Sequence, residues 1–241
     1  MKTQGSSVAL AFASLVIVGC WSDRTVPPTA TAIPPAAGAP AGTAVGTRAA
    51  AVQGAQAAAS AAEVLPLKEG QSAPTQTLRR PDGEAVDLAK VYAAKPSILI
   101  FYRGGWCPYC NTHLGQIAQA EPELIQLGYQ VLAISPDRPE GLRASMDKAG
   151  YRYQLLSDSE MKLTRAFGLA FRVDGATVER YRGFGVDLEK ASGHDHHLLP
   201  VPAVYIVDTR GVIRFAHWDA DYKRRLAGAE LVAEAKRIAG R

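Results

Sequence analysis

The feature that most restricts how this chain can fold is a pair of cysteines placed directly after a buried-strand pattern. Ser97-Ile98-Leu99-Ile100-Phe101-Tyr102 is an unbroken apolar run rich in β-branched and aromatic side chains, and Arg103-Gly104-Gly105-Trp106-Cys107-Pro108-Tyr109-Cys110 follows at once. Such a run predicts a central strand covered on both faces. After it Cys110, Leu114, Ile117, Leu124 and Leu127 recur at helical spacing, with Pro108 suited to a first helical turn. The cysteines therefore fall at a strand-to-helix junction. There the free amides and the dipole of the helix N-terminus stabilise a thiolate, moving a thiol from about 8.5 into a range of about 3.5–7.5.

The rest of residues 63–241 alternates in the same manner. Pro81-Asp82-Gly83 predicts the turn of an N-terminal hairpin between residues 75–78 and 85–88. Strands are expected at 129–135 and 154–156, and helices at 139–149 and 160–167. Residues 203–208 and 212–216 form a final hairpin, and a helix closes the domain at 229–238. Pro122 should kink or break the active-site helix. Residues 171–199 are an insertion before the last two strands, with a hairpin expected at Asp174-Gly175. The pattern is α/β, a central mixed sheet flanked by helices.

The chain has three cysteines, and Cys107 with Cys110 supplies only two of the four ligands of a structural zinc. Redox use is favoured, with Trp106 and Pro108 supporting the pair and Arg103 offering a cation to a thiolate or peroxide. If the pair works as in thioredoxin, Cys107 is the exposed attacking sulfur and Cys110 resolves the mixed disulfide. The net charge of +4 is interspersed with carboxylates, as where Asp219 and Asp221 precede Lys223-Arg224-Arg225, so nucleic acid is not an expected partner. His194, His196 and His197 form a local cluster, a candidate copper or zinc site of a chaperone-like protein. A polar loop explains them more simply. His113 is expected to face solvent, Trp218 and Tyr222 to be packing residues, and Asp137 to close a strand-end turn.

Residues 101–110, Leu155-Leu156-Ser157-Asp158 and Leu199-Pro200-Val201-Pro202-Ala203-Val204-Tyr205-Ile206-Val207-Asp208 together resemble the peroxiredoxin-like branch of the AhpC/TSA (alkyl hydroperoxide reductase and thiol-specific antioxidant) superfamily. The resemblance implies a thioredoxin-like fold, no cofactor, a peroxide substrate and a thioredoxin-like electron donor. The family's Pro-x-x-x-Thr-x-x-Cys motif falls on Arg103, Cys107 and Cys110, so the resemblance makes Cys110 the peroxide-attacking sulfur. The arginine that steadies the peroxide in that family falls on Pro202. A proline there resembles instead the cis-proline of thioredoxins, which exposes the preceding backbone, here Val201, to a protein disulfide substrate. Peroxidase and thiol-disulfide oxidoreductase thus stand as alternatives that assign opposite nucleophiles.

Lys2 followed by an apolar run from Val8 to Val18 predicts an export signal over residues 1–19, since a membrane-spanning helix needs about 20 apolar residues. Ile17-Val18-Gly19-Cys20 resembles the lipobox of bacterial lipoproteins, which implies lipidation of Cys20 and a membrane anchor with the domain outside the cytoplasm, on the periplasmic or cell-surface side. Residues 20–62 are nearly all Ala, Pro, Gly, Thr and Ser, too poor in large apolar groups to offset the entropy of ordering, and predict a flexible tether.

Overall fold

The structure is a computed structural model that describes residues 56–149 and 152–240. The expected signal sequence, Cys20 and the tether as far as residue 55 lie outside the described residues.

The strand expected before the cysteines is β3 (Ser97–Phe101), and every residue of it is buried. Its side chains alternate between two cores. Ile98 and Ile100 pack with Leu114, Ile117 and Leu124 of α2 (Pro108–Gln126) and with Leu231, Val232 and Ala235 of α7 (Gly228–Ala239). Leu99 and Phe101 face Leu88 and Tyr92 of α1 (Leu88–Ala94) and Leu163 of α4 (Lys162–Ala166) with Phe167. This two-sided burial is why the run is continuous rather than alternating. Each such side chain contributes about 1.5–3 kcal/mol to folding.

Around β3 the described residues form a mixed seven-stranded sheet in the order β2-β1-β5-β4-β3-β8-β9. β4 (Gln130–Ser135) and β5 (Gln154–Ser157) run parallel to β3, whereas β8 (Ala203–Val207) and β9 (Ile213–Trp218) return antiparallel on its other side. The hairpin of β1 (Thr77–Arg79) and β2 (Ala85–Asp87) turns through Pro81-Asp82-Gly83 as the sequence predicts and joins the edge beside β5. α3 (Pro139–Ala149) connects β4 to β5. A helix not read from the sequence, α1, starts where Asp87 accepts a hydrogen bond from Ala89 N at 2.9 Å.

Three other expectations are corrected. α2 is not broken at Pro122 but runs on to Gln126, because a proline in the last turns forfeits one backbone bond while Leu124 remains anchored in the core. Asp174-Gly175 makes no hairpin: Asp174 caps α5 (Gly175–Gly183), accepting from Thr177 N at 2.9 Å, and α6 (Leu188–Ser192) follows. The insertion is instead closed by a separate antiparallel pair, β6 (Ala170–Arg172) with β7 (Leu198–Pro200). Residues 56–62, assigned by composition to the tether, lie against the domain. Ala58 N donates to Ala170 O and Ala58 O accepts from Arg172 N, each at 2.9 Å, because the edge of β6 offers them backbone partners.

Candidate active site

The loop between β3 and α2 is held by contacts that reach far along the chain. Gly104 has φ +146, a conformation that disfavours side chains, and a Cβ there would collide with Trp106 Nε1. A Cβ on Gly105 would strike Ser145 Oγ. Asp137, at the end of β4, accepts from Gly105 N at 2.7 Å and from Ser135 Oγ at 3.1 Å, while Asn111 Nδ2 donates to Gly105 O at 2.9 Å. Asp137 is therefore more than the turn residue expected of it. Burial raises its pKa to about 6, against the lowering effect of the Gly105 N–H and Ser135.

Cys107 is the N-cap of α2 and Pro108 opens its first turn. The two Sγ atoms lie 2.7 Å apart, beyond the ~2.05 Å of a disulfide, and both are free thiols. Their protons are unequally held. Cys107 is moved down to about 6, first by the hydrogen bond from Cys110 Sγ, then by the Cys110 N–H and the charges of Arg103 and Arg225, against opposing burial. Cys110 is raised, by the same hydrogen bond, by burial and by the neighbouring Cys107 charge. The anion is thus favoured on Cys107 and the proton on Cys110. Contrary to expectation Cys107 is not exposed: it is 1% accessible, because it belongs to the core formed by α2 and α7, against which Trp106 packs.

Arg103 is buried and hydrogen-bonded to Tyr181 Oη, with its guanidinium 4.3 Å from the centre of the Tyr222 ring and 5.2 Å from that of Trp106. It stands at a pocket of about 400 Å3 also lined by Phe171, Tyr181, Pro202 and Tyr222. The predicted Arg103 and Pro202 therefore meet at one pocket, whose lining includes neither cysteine. Tyr222, expected to be mere packing, carries the Arg103 contact and meets the exposed Tyr109 edge-on at 5.6 Å.

Val201 is placed differently from the expectation. It is fully buried and its N–H donates to Leu169 O at 2.9 Å, so the amide that a thioredoxin-type site offers to a substrate is already engaged by the residue just before β6.

Two residues escape a sequence reading. Arg225, in the segment between β9 and α7, brings Nη2 to 3.6 Å from Cys110 Sγ. His113 is buried rather than solvent-facing, and burial, with the Arg225 charge, lowers its pKa to about 4. As a neutral ring its Nε2–H donates to Leu226 O at 3.0 Å. Only a long-range contact places Arg225 at the site, with no local pattern to signal it, whereas His113 stands one turn from Cys110 on α2 and it is its burial against Leu226 that the sequence does not show.

The histidine cluster lies apart. His196 uses both ring nitrogens, Nε2 with Ser159 O at 2.8 Å and Nδ1 accepting from Leu198 N at 2.9 Å, and His197 Nε2 meets Glu189 Oε1 at 2.7 Å. His194 stacks on His196. Among the described residues no three His, Cys, Asp or Glu side chains converge as a ligand set.

The fold resembles solved peroxiredoxin structures. Peroxidoxin BcpB of Mycobacterium tuberculosis matches with a TM-score of 0.57 at 17% identity, over 71% of this chain and 98% of that one. Reduced Prx3 of Vibrio vulnificus, in complex with hydrogen peroxide, matches with a TM-score of 0.58 at 18% identity, over 70% of this chain and 99% of that one. By sequence, peroxiredoxin Bcp of Escherichia coli K12 is 33% identical over 104 residues, which is 43% of this chain and 66% of that protein. Chloroplastic peroxiredoxin Q of Suaeda salsa is 26% identical over 154 residues, or 64% of this chain and 61% of that protein. The chain thus spans a little less than two thirds of the relatives it matches. The AhpC/TSA family model covers residues 70–216, from before β1 into β9 and across both cysteines, and the chain belongs to that family.

Proposed function

We propose that the protein is a thiol-dependent peroxidase in which Cys107 is the attacking sulfur. The observation that carries this reading is the place of Cys107 at the N-cap of α2, only 1% accessible to solvent, where its anion is favoured. A hydroperoxide is small enough to reach such a sulfur on modest side-chain motion, whereas a folded protein requires the site to open, which the electron donor needs only after the Cys107–Cys110 disulfide has formed. The Cys107 thiolate attacks the terminal peroxide oxygen, the O–O bond breaks, and the departing alkoxide or hydroxide takes a proton to leave as alcohol or water. The sulfenic acid on Cys107 then condenses with Cys110 to a disulfide and water. A thioredoxin-like donor returns both electrons. The relatives' names support the class of reaction, and the electrostatics of the pair support Cys107 over Cys110, the opposite of what motif position implies.

A second reading, thiol-disulfide exchange on exported proteins, is favoured by the same acidic Cys107 ahead of a buried, proton-holding Cys110. The engaged Val201 N–H and the buried Cys107 weigh against it. The test is to mix the reduced full chain carrying Cys20→Ala with equimolar hydrogen peroxide, and separately with insulin and a reductant. Oxidation far faster than that of free cysteine, with slow insulin reduction, supports the peroxidase. The reverse pattern refutes it.

The placement outside the cytoplasm rests on residues 1–20 alone. Labelling with a fatty-acid analogue should mark the protein and fail on Cys20→Ala.

A further inference from the structure

Cys110 presents a difficulty to the proposed reaction: the resolving sulfur is the one that holds its proton more tightly. Two of the causes that raise it, the hydrogen bond to Cys107 and the Cys107 negative charge, exist only while Cys107 is a thiolate. Once Cys107 has become a neutral sulfenic acid, both are gone. Burial still opposes ionisation of Cys110, and what remains facing its sulfur to offset burial is the Arg103 backbone N–H and the Arg225 guanidinium, both of which favour its anion.

Arg225 is held for this position by the fold. His113, one turn along α2 from Cys110, fastens the next residue by donating to Leu226 O, and Leu226 is itself buried in the core under α7. Beyond it Glu230 Oε2 accepts from Ala227 N at 3.0 Å, fixing the start of α7. Within the guanidinium, Nη1 donates to Arg224 O at 3.0 Å and Nη2 faces Cys110 Sγ, while Nε is buried without a hydrogen-bond partner. Among the described residues no carboxylate pairs with Arg225, whereas its neighbour Arg224 lies within 4 Å of Asp219 and Asp221. A partly buried cation left unpaired beside a sulfur is expensive to keep, and that sulfur is its available anion.

We propose that Arg225 is a catalytic residue of the resolving step, stabilising the Cys110 thiolate once Cys107 is oxidised and so setting how fast the disulfide closes. In that step Cys110 Sγ attacks the sulfenic sulfur of Cys107. The S–S bond forms, the S–O bond breaks, and the proton released by Cys110 leaves with the hydroxyl as water. Arg225 acts from the β9–α7 segment on the second cysteine, not from the position before β8, where Pro202 stands.

The inference rests on the peroxidase reading for its biological step, but the closing reaction can be measured without peroxide. Methyl methanethiosulfonate, a small thiol-blocking reagent, converts Cys107 to its methyl disulfide, and attack by Cys110 then expels methanethiol. Both steps can be followed by intact mass on the full chain carrying Cys20→Ala, across pH 5–9, for the parent, Arg225→Gln and Arg225→Lys. An opposite charge near a thiol lowers its pKa by about 1–3 units, and the gain in thiolate is tempered by a Brønsted coefficient of about 0.4–0.5. Arg225→Gln should therefore slow closure by about 3- to 60-fold and raise the pH midpoint of closure. Labelling of Cys107, whose anion is held first by Cys110 and only last by the Arg225 charge, should slow by less than closure does, and Arg225→Lys should recover most of the rate. With peroxide, Arg225→Gln should accumulate sulfenic and then sulfinic acid on Cys107. Closure unchanged in Arg225→Gln, or slowed no more than labelling, overturns the proposal, as does a lysine variant no better than glutamine. If peroxide fails to oxidise the parent while the methanethiosulfonate arm behaves as stated, the peroxidase reading falls and the role of Arg225 in disulfide closure stands.

Discussion

Replacing Cys110 by alanine removes the donor that does most to keep Cys107 an anion, and the expected size of the effect follows from the site. Cys107 stands at about 6 with that hydrogen bond in place. Without it, burial works against the more distant charges, and the thiol should return toward the ordinary value of about 8.5. At pH 7 the thiolate fraction then falls from about 90% to about 3%, a loss of about thirtyfold. The less acidic thiolate is intrinsically more nucleophilic, by about tenfold for a Brønsted coefficient of about 0.4–0.5. The two nearly cancel, so the rate at pH 7 should fall only about two- to threefold. The informative quantity is the midpoint of the pH profile, which should climb by about two units. Iodoacetamide alkylation of Cys107 between pH 4 and 10, read by peptide mass, measures it. Cys110→Ser, which keeps a donor, should lie between the two. A midpoint unchanged in Cys110→Ala would show that the helix N-terminus and the arginines hold the thiolate alone, and would refute the reasoning.

Other consequences can be checked separately. Because the folded pKa of Cys107 lies below its unfolded value, its stabilising effect is full above about pH 9 and is lost as pH falls through about 6. Urea titrations should show the parent gaining stability over Cys107→Ser across that window, and a constant difference would contradict it. Gly104→Ala forces a side chain onto φ +146 and into Trp106, and should lower stability by about 1–3 kcal/mol in a thermal melt. Asp137→Ala leaves the half-buried Gly105 N–H without its acceptor, with a loss of about 1 kcal/mol and a broader distribution of Cys107 reactivity. Tyr181→Phe frees Arg103 from its hydroxyl partner, and should change KM for peroxide more than it changes the alkylation midpoint of Cys107.

What could be read before folding was whatever is carried by local pattern. The apolar run of β3, the heptad-like spacing of α2 and the turn residues between β1 and β2 report their structures directly, because burial and turn chemistry leave a mark within a few residues. The cysteine pair was legible for the same reason. The surroundings of the pair were not. Asp137, Tyr222 and Arg225 reach the site through contacts with no counterpart in neighbouring sequence, the burial of His113 depends on its distant contact with Leu226, and Arg225 stands in a charged stretch, Lys223-Arg224-Arg225, that reads as ordinary surface. Asp174-Gly175 misled because an aspartate that can start a turn can equally cap a helix. Residues 56–62 lack large apolar groups, so only their backbone bonds to the edge of β6 reveal that they belong to the folded unit. The family motif pointed to Cys110, whereas charge and hydrogen bonding favour Cys107.

The assignment of the attacking sulfur is tested most directly by trapping the first oxidation product. The Cys107→Ser and Cys110→Ser variants, each in the Cys20→Ala background, are mixed with stoichiometric hydrogen peroxide and a sulfenic-acid probe, and the labelled residue is located by mass spectrometry. Rapid labelling of Cys107 in the Cys110→Ser protein, with Cys110 in the Cys107→Ser protein no faster than a free thiol, is the predicted result. Rapid labelling of Cys110 in the Cys107→Ser protein would contradict it.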